Sequence, residues 1–307
     1  MTIEIKHLFG LRNVSREDIT LILDTADSFR EVLERPIRIV PTLKGIAVLN
    51  LFYEDSTRTR ISFELAERRL SAEVVSFAKS ASSVSKGESL RDTVRNIEAK
   101  KVDIIVVRHR SPGTPQVLAA HTRCRIVNAG DGSHEHPTQA LLDMMTMRRH
   151  FGALEGLRVL IVGDILHSRV ARSDIWGLTT MGARVDVCGP STLIPLHMDL
   201  LGVSVHHDFD AVIGEYDVVY MLRIQRERQT SGLIPSVREY TELFGLTRER
   251  VNRMKPGAVV MHPGPINRGV ELDYEVADSA RSLILDQVTN GEAVRMAVLF
   301  LLSGRGE

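Results

Sequence analysis

In FYEDSTRTR, from Phe52 to Arg60, two arginines and three hydroxyls crowd the segment Ser56-Thr57-Arg58-Thr59-Arg60, just beyond the apolar run at 45–52. A helix starting near Thr57 would aim its free backbone N–H groups and its dipole at whatever sits beyond that run, an arrangement suited to phosphate. The hydroxyls of Ser56, Thr57 and Thr59 add short hydrogen bonds, and the Arg58 guanidinium can grip two phosphate oxygens at once. The plainer alternative is a serine-capped helix with solvated arginines. Both features meeting at one point favours the anion site. Arg60 and Glu64 stand four apart, which predicts a pair within the helix and leaves Arg58 for the ligand.

Other polar residues also follow apolar runs. Ser82 and Lys86, in the small-residue segment 80–89, could close over a phosphate as a lid, although such segments are commonly plain surface. Arg108 and His109 end the run that begins at Val102. Charge there either meets a ligand or leaves the sheet for water, and the two readings stand level. In GSHEHPTQALLD, from Gly132 to Asp143, Pro137 suits a first helical position, and His136 and Gln139 share one face. His134 and His136 form a His-x-His pair, but no cysteine or spaced third ligand accompanies it, so no metal is expected.

Further along, Arg169 closes GDILHSR, whose lack of repeated glycines argues against a dinucleotide site and hence against a nicotinamide dehydrogenase. Arg223 and Gln225, two apart, fall on one side of an extended segment. Arg226 and Arg228 read as solvated charge. In MHPGP, from Met261, two prolines stiffen a turn whose Pro263 and Gly264 carbonyls are pre-oriented acceptors, with His262 expected to be buried and hydrogen-bonded. The inventory holds many anion binders, one histidine and one amide, without paired carboxylates, a Ser-His-Asp order or a Walker lysine loop. It suits transfer of an activated acyl group from phosphate to an amine, in which the protein orients both reactants and supports an oxyanion.

Strands and helices must deliver these groups. Short β-branched runs at 45–52, 72–77, 102–107 and 124–129 alternate with helical periodicity at Arg58–Leu70, Ser89–Lys100 and Pro137–Arg149. A second series begins after residue 155, with runs starting at Leu157, Ala183, Tyr216 and Gly257. Such alternation predicts an α/β protein of two domains, each a mostly parallel sheet flanked by helices, with a boundary near 150–155. An opening helix is expected from Ser15, as cap, to Leu33, and a closing one over Glu292–Leu302. Ligands of parallel sheets lie beyond the carboxyl ends of the strands, where all these motifs fall.

Composition sets the outer limits. With 307 residues and 43% hydrophobic content the chain can bury a substantial core. Lys plus Arg and Asp plus Glu each number 39, so no global field draws it to nucleic acid or an anionic membrane, and any anion site must be local. The two cysteines, Cys124 and Cys188, lie in apolar runs and read as buried thiols of a protein in a reducing cytoplasm. No window approaches the ~18 apolar residues of a spanning helix, and the opening residues have no basic stretch leading into a long apolar core.

STRTR from Ser56, Arg108-His109, HPTQ from His136 and MHPGP from Met261, in this order along one chain, resemble the aspartate and ornithine carbamoyltransferase family. The resemblance covers essentially the whole length. It implies that residues 1–150, joined by the C-terminal helix at about 288–307, bind carbamoyl phosphate, and that 151–287 bind the amino acid. Carried over by motif, Ser56, Thr57, Arg58 and Thr59 hold the phosphate, and Thr59, Arg108 and His136 polarise the carbamoyl oxygen. Gln139 and the Pro263 and Gly264 carbonyls take the carbamoyl NH2. Ser82 and Lys86 reach into a neighbour's site, as implied by a homotrimer with shared active sites. Arg169 and Arg223, with Gln225 and Lys86, suit the two carboxylates of aspartate, and RIQRERQ from Arg223 resembles the aspartate branch.

Ornithine is the runner-up substrate, since the cysteine after the late histidine and the Ser-Met-Gly loop of ornithine-type enzymes are absent. A non-catalytic carbamoyl-phosphate-binding scaffold is the alternative outside catalysis. Gly264 and Ser85 depart from the residues frequent in the best-known aspartate enzymes, a leucine and a second lysine. The resemblance further implies a step of pyrimidine biosynthesis with no cofactor, and it leaves a regulatory chain or a dihydroorotase open as partners.

Overall fold

The computed structural model describes residues 3–78, 89–225 and 232–305. Ser82, Lys86, Arg226 and Arg228 lie outside the described residues. The chain divides into two compact units, one running through Met145 and resuming at Thr289, the other spanning Thr146–Val288.

The first unit contains α1 (Arg16–Leu33), β1 (Ala47–Phe52), α2 (Thr57–Arg69), β2 (Glu73–Ala78), α3 (Leu90–Ala99), β3 (Ile104–His109), α4 (Thr114–Ala119), β4 (Arg125–Asp131) and most of α5 (Pro137–Phe151). Ser15 caps α1 by accepting the Asp18 N–H at 3.1 Å. The sheet is parallel throughout, in the order β2-β1-β3-β4. Its central strands are buried along nearly their whole length, which explains why they read as continuous apolar runs rather than alternating ones. Leu49, Leu51, Ile105, Val107 and Ile126 pack against Val94 and Ile97 of α3 and Leu118 of α4.

The second unit contains β5 (Arg158–Val162), α6 (Arg169–Thr180), β6 (Arg184–Cys188), β7 (Val205–His206), α7 (Phe209–Val212), β8 (Val218–Met221), α8 (Val237–Phe244), α9 (Arg248–Arg253), β9 (Val259–Met261), α10 (Tyr274–Ala277) and the start of α11 (Ile284–Leu302). Its strands are also all parallel, in the order β7-β6-β5-β8-β9. Two-residue β7 is too short to leave a pattern in sequence. Cys124 and Cys188 are buried free thiols, and burial raises the pKa of Cys188 to about 12. No helix of the described residues is long and apolar enough to cross a membrane.

The closing helix corrects the sequence reading, which starts it at Glu292, after Thr289-Asn290-Gly291. It begins eight residues earlier, at Ile284, and carries Gly291 in its interior. A Cβ on Gly291 would fall 3.0 Å from Leu142 Cδ2 and 2.6 Å from Arg295 Nη1. Glycine here accommodates close approach to α5 and does not end a helix. Arg295 donates to the Gly291 carbonyl at 2.7 Å and lies over the Phe63 ring, while Phe300 meets Phe29 edge-on. These contacts join α11 to α1 and α2.

Beneath α2, Asn50 Nδ2 donates to the fully buried Glu67 Oε2 at 2.7 Å, and burial raises the Glu67 pKa from 4.5 to about 8. The folded chain therefore holds a proton that the unfolded chain releases, so stability falls as pH rises between those two values. Glu67→Gln should abolish that dependence. Urea unfolding at pH 5 and pH 8.5 should lose a difference on the order of 3 kcal/mol between the two conditions, leaving the variant the more stable at pH 8.5.

Candidate active site

In the first unit the chain steps from β1 to β2 on one side and then to β3 on the other, so β1 and β3 flank the point where strand order reverses. Crevices open at such points beyond the carboxyl ends of the strands. Ser56 precedes α2 but makes no capping bond; its Oγ donates instead to Thr59 Oγ1 at 3.0 Å. The plain helix-cap reading of Ser56 fails. With no acidic residue in the first turn, the amino end of α2 keeps its positive character. Thr59 is buried, while Thr57 and Arg58 are exposed. Arg60 approaches Glu64 at 3.8 Å, the pairing its spacing predicts.

At the end of β3 the two level readings separate. Arg108 is buried at a register shift between Val107 and His109. Its Nη1 donates to the Ala129 carbonyl at 3.1 Å, and its Nη2 donates to Glu54 Oε1 at 3.0 Å. Those bonds fix the guanidinium plane between β4 and the loop after β1. His109 has a structural role: its Nδ1 accepts the Ser111 N–H at 2.9 Å, and its ring meets Tyr53 edge-on. Burial holds its pKa below the usual histidine value.

After β4 the His-x-His pair divides. His134 Nδ1 bonds to the Asp131 carboxylate at 3.1 Å, whereas His136 is buried just before α5, where its carbonyl accepts the Gln139 N–H at 3.0 Å. Gln139 Nε2 donates to Asp143 Oδ1 at 3.1 Å. This commits its NH2 end and leaves Oε1 as the accepting end. Glu54 and Asp143 escape sequence reasoning. Only the i,i+4 spacing of Gln139 and Asp143 offered a signal.

The second unit repeats the topology, with β5 and β8 flanking its reversal. Ser168 caps α6 by accepting the Ala171 N–H at 3.1 Å, which places buried Arg169 at the first helical position. Asp164, fully buried, accepts from His167 Nδ1–H at 2.8 Å and from the Gln225 backbone N–H at 3.2 Å. Gln225 Nε2 donates to the His167 carbonyl at 3.1 Å. Gln225 thus faces the loop leading to Arg169. Arg223 lines a cavity of about 310 Å³ with Ile224, Val237, Asn267 and Val270. Asn267 and Asp164 are further polar groups that the sequence reading does not assign.

The MHPGP turn follows β9. His262 is buried, as expected; its N–H donates to Gln287 Oε1 at 3.0 Å, and its Nδ1 accepts the Gly264 N–H at 2.8 Å. Those bonds hold the backbone around the Pro263 and Gly264 carbonyls.

The fold and these clusters define a protein of two parallel α/β units built to hold small anionic molecules. Models of aspartate/ornithine carbamoyltransferases match residues 6–149, as the carbamoyl-P binding domain, and 155–302, as the Asp/Orn binding domain. The chain belongs to the aspartate/ornithine carbamoyltransferase family. It is 57% identical over 300 residues to an aspartate carbamoyltransferase catalytic subunit of Geobacter sulfurreducens, covering 97% of this chain and 96% of that one. A relative of the same description from Halothermothrix orenii is 53% identical over 305 residues, covering 99% and 97%. Among solved structures, aspartate transcarbamoylase of Trypanosoma cruzi in complex with carbamoyl phosphate and aspartate superposes with a TM-score of 0.86 at 30% identity, covering 96% and 95%. Ornithine carbamoyltransferase of Pyrococcus furiosus gives 0.85 at 28%, covering 97% of each chain.

Asp164 ties the loops after β5 and β8 together, so Asp164→Ala should leave buried donors unpaired and cost about 2 kcal/mol or more. Denaturant unfolding would measure it; an unchanged midpoint would deny Asp164 that part.

Proposed function

We propose that this chain is an aspartate carbamoyltransferase, moving the carbamoyl group of carbamoyl phosphate to the amine of L-aspartate to give N-carbamoyl-L-aspartate and phosphate. What supports this reading is that cations follow the strands flanking the strand-order reversal of each sheet: Arg58 and Arg108 in the first unit, Arg169 and Arg223 in the second. One reactant is an acyl phosphate and the other a dicarboxylate, so each requires its own anion-binding groups.

The first unit, including the returning part of α11, takes carbamoyl phosphate. Its phosphate lies on the amino end of α2 against Ser56, Thr57, Thr59 and Arg58. Thr59, Arg108 and His136 donate to the carbamoyl oxygen, which gains negative charge as the amine attacks. Each such donor contributes roughly 3 kcal/mol to the transition state. The commitment of Gln139 Nε2 to Asp143 supports Oε1 as acceptor for the carbamoyl NH2, together with the Pro263 and Gly264 carbonyls. The second unit takes aspartate, with Arg169 on the α-carboxylate, Arg223 on the side-chain carboxylate and Gln225 beside them. The amine attacks the carbonyl carbon, the tetrahedral intermediate collapses with cleavage of the bond to the phosphate oxygen, and the amine proton passes to the departing phosphate. His136 polarises and does not act as a base.

Ser82 and Lys86 of a neighbouring subunit complete each site in a homotrimer, Lys86 also meeting aspartate. The protein works in pyrimidine biosynthesis in the cytoplasm, where a regulatory chain or a dihydroorotase is a candidate partner.

Purified protein given carbamoyl phosphate should form product with L-aspartate and not with L-ornithine. Arg58→Ala should abolish that product, and His136→Ala should lower kcat by about a hundredfold; a loss smaller than about tenfold would remove His136 from the oxyanion role. Arg223→Ala should raise KM for aspartate roughly ten- to a hundredfold, with a much smaller effect on carbamoyl phosphate. Ornithine-dependent product would overturn the pocket assignment, and carbamoyl phosphate binding without product would point to a scaffold.

A further inference from the structure

We infer that Glu135 is a positioning residue for His136, anchored by the segment His7–Leu11. This rests on the proposed reading, from which His136 takes its role. The segment runs beside β4: the Leu8 N–H donates to the Ile126 carbonyl and the Asn128 N–H to the Leu8 carbonyl, each at 2.9 Å. Asn128 Nδ2 donates to the Phe9 carbonyl at 2.7 Å. The segment then reaches the loop before α5, where the Leu11 N–H donates to Glu135 Oε2 at 2.6 Å.

Residue 10 must lack a side chain for this contact to form. A Cβ on Gly10 would fall 2.1 Å from Glu135 Oε1 and 2.3 Å from its Cδ, so the carboxylate would have to swing away from its place at the Leu11 N–H. The glycine is therefore matched to a carboxylate 125 positions away.

Glu135 is held by its backbone as well. Its N–H donates to Asp131 Oδ1, and its carbonyl accepts the Asp131 N–H, both at 3.2 Å. Asp131, fully buried, also accepts from Asn128 Nδ2 at 2.8 Å and from the Gly113 N–H at 2.7 Å. The next residue is His136, whose carbonyl accepts the Gln139 and Ala140 N–H groups in the first turn of α5. The imidazole thus departs from a backbone fixed on one side by Glu135 and on the other by the helix. A displacement of the ring by about 1 Å costs on the order of a hundredfold in rate, while substrate affinity depends mainly on other groups.

Steady-state kinetics and melting curves of the full chain carrying Glu135→Ala, Glu135→Gln, Gly10→Ala or His136→Ala test the inference. Glu135→Ala and Gly10→Ala should each lower kcat by about tenfold or more, with KM for both substrates within about threefold of wild type. Glu135→Gln should recover most of the loss, because its amide oxygen still accepts the Leu11 N–H. If Glu135→Ala does not fold, Gly10→Ala and Glu135→Gln carry the comparison. Lowered melting temperatures with unchanged kcat in the folded fraction would make Glu135 merely structural and overturn the inference. If His136→Ala itself left kcat unchanged, the reading of His136 would have failed, an outcome distinct from a failure confined to Glu135 and Gly10.

Discussion

In each unit a single carboxylate ties together the two loops that flank the reversal of strand order. Glu54, just after β1, takes the Arg108 guanidinium from the end of β3. Asp164, just after β5, takes the Gln225 N–H from the loop after β8. Parallel sheets open a crevice at such points because successive crossovers leave in opposite directions, but the opening alone does not fix what lines it. These bonds hold the two walls of each crevice in register. The bonds that orient Arg108 and the cap that places Arg169 are useful only while those walls hold.

A chain with equal numbers of acidic and basic residues must make its anion sites by placement. Many cations are engaged by carboxylates within their own unit: Arg60 by Glu64, Arg69 by Glu292, and Arg250 by Asp210 in a two-pronged contact. The balance extends indoors. Glu67 keeps its proton, and Arg295 keeps its charge with a pKa lowered by burial only to about 10. Neutrality at long range and positive potential at short range thus coexist, and a small anion is favoured over a polyanion.

Much of this was legible in the sequence because parallel strands bury both faces and announce their ends abruptly. Arg108 and Arg223 stand out as the first polar groups after apolar runs, Ser56 and Arg169 as members of polar motifs a few residues further on, and capping chemistry placed α1 to within a residue. Groups that act across long sequence separations were not legible. Glu54 lies 54 positions from Arg108 and Asp164 61 from Gln225, and nothing local marks either pairing. Nor could local pattern tell that Gly291 serves contact with α5 instead of ending a helix. Spacing alone did not separate Arg108 from His109; their different hydrogen-bond partners do.

The split composition of the first unit bears on how the chain is made. Residues 146–288 are continuous, so the second unit has all its parts as soon as they leave the ribosome. The first unit lacks the segment carrying Arg295 and Phe300 until the second has been synthesised, and until then Phe63 and Phe29 lack those partners. The nascent amino-terminal part must stay soluble through the synthesis of a whole intervening unit. That reverses the usual order in which amino-terminal domains are completed first, and it makes the docking of α11 on α1 and α2 the step that completes the first unit.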